Sequence, residues 1–122
     1  MEYKDRLTSH EPNGRARAMQ ELQKEPVDTV ARVLGEALLD SNWPVCSELA
    51  DGLAALGTGC SRDALLKALK ARRHHIRSAA VKALSRLGDP SLKEPIAELA
   101  DDPSYEVRQD VAEALGRLGQ AG

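Results

Sequence analysis

Residues 74–88 read "HHIRSAAVKALSRLG", and residues 105–119, thirty-one positions later, read "YEVRQDVAEALGRLG". The offset pairs Ile76 with Val107, Arg77 with Arg108, Ala80 with Val111 and Ala83 with Ala114. It also pairs Leu84 with Leu115, Leu87 with Leu118 and Gly88 with Gly119. One step towards the N-terminus meets Val45, Leu49, Leu53, Leu56 and Gly57, and the next meets Arg15, Ala18 and Leu22. A gapless period of this length marks a stacked array, in which each short unit covers an apolar face that its neighbour cannot bury unaided.

Each unit divides into two helical patterns. The first, as in 75–87, places Ile76, Ala80, Ala83, Leu84 and Leu87 on one face, and glycine follows at 57, 88 and 119, where a left-handed residue ends a helix cheaply. The second covers 30–39, 62–70 and 92–100, with "GDPS" and "DDPS" as turn and helix-start signals. Tyr3 and Leu7 fall on the Leu34 and Leu38 places, so residues 1–10 read as a capping helix. The chain therefore reads as all-α: an α-solenoid of helix-pair repeats with a 31-residue period, at 11–41, 42–72 and 73–103, closed by a half repeat at 104–122. The absence of Phe and the abundance of Ala and Leu agree with thin, closely stacked helical layers. Val111, Leu115 and Leu118 are expected to leave an open C-terminal layer, either a self-association face or a point where a longer solenoid was cut.

The stretches "IRSAAVKALSRLGDPSLKEPIAELADD" and "VRQDVAEALGRLG" resemble HEAT-like repeats of the phycobilisome (PBS) lyase type, through the I/V-R start, the A-L pair, the L-G end and Asp-Pro in the loop. The resemblance implies first helices on a convex side, second helices lining a concave side, and a role as a partner-binding scaffold; a minority of such proteins assist bilin attachment. It also implies a charged ladder between layers, carried here by Arg15, Arg77 and Arg108 with Asp40 and Asp102. Cys46 stands where the second unit should carry its arginine and Ala71 where it should carry its aspartate, so the ladder is expected to break there. In one enzymatic branch, deoxyhypusine hydroxylase, His-Glu pairs after the Val-Arg hold a di-iron centre. The matching positions here are Ser78-Ala79, Gln109-Asp110 and Ser47-Glu48, which supply no imidazole.

No other constellation points to catalysis or to a cofactor. Cys46 and Cys60 form no CxxC pair, and "GTG" at 57–59 falls short of a phosphate-binding fingerprint. His74 and His75 are neighbours at a helix start, where side chains are expected to point apart, so the pair is read as a solvated loop rather than a metal ligand set. Trp43 is expected to pack against the adjacent layer. "MEYKDRLTSH" lacks the apolar core of a signal peptide and no apolar run approaches a membrane span, so a cytoplasmic protein without membrane contact is expected.

Charge is banded. Residues 64–88 carry seven basic and no acidic side chains, between acidic flanks. Lys70, Arg72, Arg73, His74 and His75 form a candidate anion site, but the chain as a whole is net −2 and no aromatic interleaves the band, which weighs against nucleic acid. The outward rows of the second helices, Arg32, Glu36, Arg62, Asp63, Leu66, Lys67, Lys70, Glu94 and Glu98, mix both signs and suit a partner protein better.

Overall fold

The computed structural model describes residues 3–121, and among them helices joined by turns and short irregular connections occur, with no strand. Helix α1 spans Tyr3–Leu7, α2 Pro12–Leu22, α3 Val27–Asp40, α4 Val45–Leu56, α5 Gly59–Ala68, α6 His74–Leu87, α7 Lys93–Ala97 and α8 Tyr105–Ala121, with a 3-10 turn at Pro90–Leu92. Helix α4 packs on α6 and α6 on α8, while α1 packs on α3 and α3 on α5, so two rows run side by side as a solenoid. None of these helices is long and apolar enough to cross a membrane.

Local chemistry sets the helix ends. Gly57 (φ 63°) and Gly88 (φ 68°) adopt the left-handed conformation that stops α4 and α6. Thr58 opens α5 with a reciprocal cap: its hydroxyl accepts the Ser61 N–H at 3.1 Å, and Ser61 Oγ accepts the Thr58 N–H at 3.0 Å. Gly119 does not repeat this role, because α8 runs through it to Ala121. The last second-type helix is also shorter than its apolar pattern, ending at Ala97 rather than Ala100. Its backbone bonds tighten to the i→i+3 type at Leu99, Ala100 and Asp102, which turns the chain towards α8.

The core is aliphatic throughout. Leu22, Leu34, Leu38, Leu53, Leu65, Ile76, Leu84 and Ile96 are fully buried where the two rows meet. The expectation of an open C-terminal layer is corrected here. Val107, Val111, Ala114 and Leu118 share one face of α8 at helical spacing, and that face is buried on α6 and α7; only Leu115 is partly accessible. The outer face of α8 carries Gln109, Ala112, Glu113 and Arg117, so these residues offer no apolar self-association surface.

The arginine ladder is present in altered form. Arg77 donates from Nε and Nη2 to the two carboxylate oxygens of Asp102, at 2.8 and 3.0 Å, and from Nη1 to the carbonyls of Ala71 and Arg72. Arg108 donates to the Asp102 carbonyl at 2.6 Å, and Arg15 to the Ser9 carbonyl at 2.7 Å. Each of the three arginines thus ties down the carbonyl six residues before it, at the loop that leads into its own helix. Asp40 does not join, since it pairs with Lys4 at 2.5 Å, and Arg15 turns to Glu48 at 3.2 Å instead. In the second unit Cys46 is fully buried and its thiol lies 3.7 Å from the His75 carbonyl. The break is bridged from the next layer: Arg73 donates to the Ser41 carbonyl at 2.9 Å and to Asn42 Oδ1 at 3.0 Å.

Replacing Arg77 with Met is expected to cost about 3 kcal/mol in chemical denaturation at neutral pH, because it strands a buried carboxylate. Burial is the strongest influence on Asp102 and raises its pKa, but the Arg77 hydrogen bonds, the Ser104 N–H and the charges of Arg77 and Arg108 together hold it below the ordinary 3.8. Its stabilisation is therefore present above that ordinary value and lost as pH falls through the lower folded value. Without Arg77 the carboxyl loses its strongest lowering partner and its pKa rises towards or past the ordinary value, so the variant loses less stability than the wild type as pH falls through the acid range. An Arg77→Met protein with the wild-type acid limb would rule the ladder role out.

Candidate partner-binding face

The second-helix row carries two grooves. The first, about 560 Å³, lies between α3 and α5. Its floor is small and apolar, from Ala31, Gly35, Leu39 and Ala64, and its rim is charged, from Asp28, Arg32, Glu36, Asp63 and Lys67. The second, about 400 Å³, lies between α5 and α7, with Leu66, Leu69, Pro95 and Leu99 inside and Lys67, Lys70 and Glu98 at the edge. Lys67 belongs to both, so the grooves are contiguous.

The depth of the first groove has a local cause. Gly35 is buried in the interior of α3, and a Cβ built there would sit 2.9 Å from Ala64 Cβ on α5. The two helices approach this closely because neither carries a larger side chain at the crossing. A glycine inside a helix costs roughly 1 kcal/mol relative to alanine, a signal in the sequence that packing demands it.

Of the expected row residues, Arg32, Glu36, Asp63, Leu66, Lys67, Lys70 and Glu98 line the grooves. Arg62 and Glu94 do not. Arg62 faces the other way, into a smaller cleft with Gly57 and Leu87, where it pairs with Asp89 at 3.3 Å. Glu94 is exposed outside both grooves, as the 3-10 turn ahead of α7 changes the helical phase from 3.6 to 3.0 residues per turn. Asp28, Thr29 and Cys60 were not anticipated and also line the first groove. The exposed Cys60 thiol faces Asp28, whose hydrogen bond and charge raise its pKa, which lowers its reactivity as a nucleophile.

The candidate anion site does not assemble. Arg73 is committed to Ser41 and Asn42, Arg77 to Asp102, and both histidines face the Glu106 carboxylate at 3.9 Å. Lys70 and Arg72 are left exposed without a carboxylate partner among the described residues. Two cations on a curved edge make a poor polyanion track. Along the same loop edge, Trp43 is 64% exposed rather than packed on its neighbour, and Tyr105 is 72% exposed with the Arg108 guanidinium 5.8 Å from its ring centre. The histidine rings also depart from expectation: they lie side by side, centroids 3.9 Å apart.

A family model described as HEAT repeats matches residues 62–122. A solved structure of human deoxyhypusine hydroxylase in complex with glycerol shares the fold with a TM-score of 0.76 at 24% identity. The superposition covers 97% of this chain and 42% of that one. No curated protein matches.

A Gly35→Ala substitution tests the groove floor. Overpacking against Ala64 costs about 1–3 kcal/mol and the gain in helix propensity returns about 1. A net loss near 1 kcal/mol is expected, and adding Ala64→Gly should show a favourable coupling of about 1 kcal/mol or more in a double-mutant cycle. Strictly additive effects would mean that the two helices do not meet at this crossing.

Proposed function

We propose that this chain, which belongs to the HEAT-repeat family, is a non-catalytic scaffold that binds a partner protein along its second-helix face. The observation that supports this reading best is the pair of contiguous grooves meeting at Lys67. Their floors accept small apolar side chains, and their rims alternate in sign from Asp28, Arg32 and Glu36 to Lys67 and Glu98. Such a surface selects a segment that carries apolar anchors between charges of both signs, by shape and charge complementarity with no chemical step. A polyanion would meet Glu36, Asp63 and Glu98 as readily as Lys67.

The likeness to the hydroxylase supports the fold, and it covers less than half of that protein. Ser78 and Ala79 stand where that branch carries its His-Glu pair; Ser78 donates to Asp110 and Ala79 is buried. The finer assignment to the PBS lyase type rests on the I/V-R, A-L, L-G and Asp-Pro pattern, and with a cytoplasmic location it belongs to the same proposal.

The test is affinity capture from a native lysate with the wild type, with Lys67→Glu and with Arg86→Glu, whose site lies on α6 beside Asp51. Proteins captured by the wild type and by Arg86→Glu, but lost with Lys67→Glu, are the expected result. Equal capture by all three, or recovery of nucleic acid with no protein, would overturn the reading.

A further inference from the structure

One loop edge gathers two imidazoles and a carboxylate from two different helices. His74 and His75 open α6, and Glu106 stands in the first turn of α8. His74 Nε2 and His75 Nδ1 each lie 3.9 Å from Glu106 Oε2, and one donor atom from each of the three residues falls within 4.8 Å of the others. His75 Nδ1 is buried and, among the described residues, has no hydrogen-bond partner. A buried ring nitrogen in this state lacks a ligand for its lone pair or its proton.

We propose that His74, His75 and Glu106 form a binding site for a divalent transition-metal ion of the zinc class. Donors bound at about 2.1 Å to one tetrahedral ion sit about 3.4 Å apart, so each 3.9 Å separation has to close by only about 0.5 Å. The third separation, between the imidazoles, is at most 4.8 Å, and closing it requires rotation of side chains that are about half exposed. Two neutral imidazoles and one carboxylate select zinc, cobalt, nickel or copper over magnesium and calcium, which prefer all-oxygen sites. Oε2 is the Glu106 oxygen that faces both histidines, while Oε1 lies 3.4 Å from Ser78 Oγ, whose proton goes to Asp110.

Three protein ligands leave a fourth tetrahedral position open to water or to a ligand brought by a partner. The ion would join α6 to α8, so binding should also stiffen the C-terminal layers. The site is one turn ahead of Ser78-Ala79 and uses neither of those residues as a ligand, which separates it from the His-Glu positions of the hydroxylase branch. It goes beyond the groove reading and does not depend on it.

The test uses tag-free protein in a Cys60→Ser background, so that no added histidines or exposed thiol compete. Zinc chloride is titrated by calorimetry at neutral pH, and the imidazole signals are followed by NMR. The chain has three histidines, so His10 serves as an internal reference. One equivalent of zinc is expected, with shifts at His74 and His75 but not at His10. His75→Ala and Glu106→Gln, checked for folding by circular dichroism, should each weaken binding by at least the roughly tenfold that loss of even an outer-shell partner costs. Cobalt should give the visible absorption of a low-coordinate site. Zinc affinity unchanged in both variants, or no shift at His74 and His75 under millimolar zinc, would overturn the proposal.

Discussion

A pair of short helices cannot bury its own apolar face, and everything else in this protein follows from that constraint. Leu53 and Leu84 are inside because another layer lies over each of them. Without large aromatics the layers must come close, and the approach of Gly35 to Ala64 shows how far that goes. The same closeness shapes the second-helix face, where small residues at a crossing leave a groove and the flanking charged residues become its rim.

Polar ties at the loops hold successive layers in register. Arg15, Arg77 and Arg108 each fix a loop carbonyl six residues earlier, and Arg77 adds a two-pronged bond to Asp102 across to the next layer. The second unit shows that the requirement is physical rather than positional. Its arginine is replaced by a buried cysteine, yet a guanidinium still reaches the loop carbonyl, supplied by Arg73 from the following layer. This also explains why the basic band is less available than its composition suggests, since several of its members are committed to structure.

The grooves and the His74–His75–Glu106 cluster lie on different parts of the same solid. The first arises from helix faces, the second from loop ends. A scaffold can carry both, because a solenoid presents each row of equivalent positions as a separate surface. What distinguishes this chain from a generic repeat therefore lies where the repeat is not copied: Lys67 and Gly35 on the second-helix row, and the two histidines that open α6.

The period, the helix pairs, the stops at Gly57 and Gly88 and the buried seam were all legible in the amino-acid sequence, because helical spacing and left-handed glycine are local properties repeated in every layer. Seven of the nine proposed row residues were legible for the same reason. Arg62 and Glu94 were not, since side-chain direction there depends on Asp89 and on the 3-10 turn before α7. The inward turn of Val111 and Leu118, the exposure of Trp43, the rescue by Arg73 and the convergence of Glu106 on His74 and His75 were decided only in three dimensions. The rescue and the convergence join residues about thirty positions apart, and all four are set by how one layer seats on the next, which no local pattern encodes.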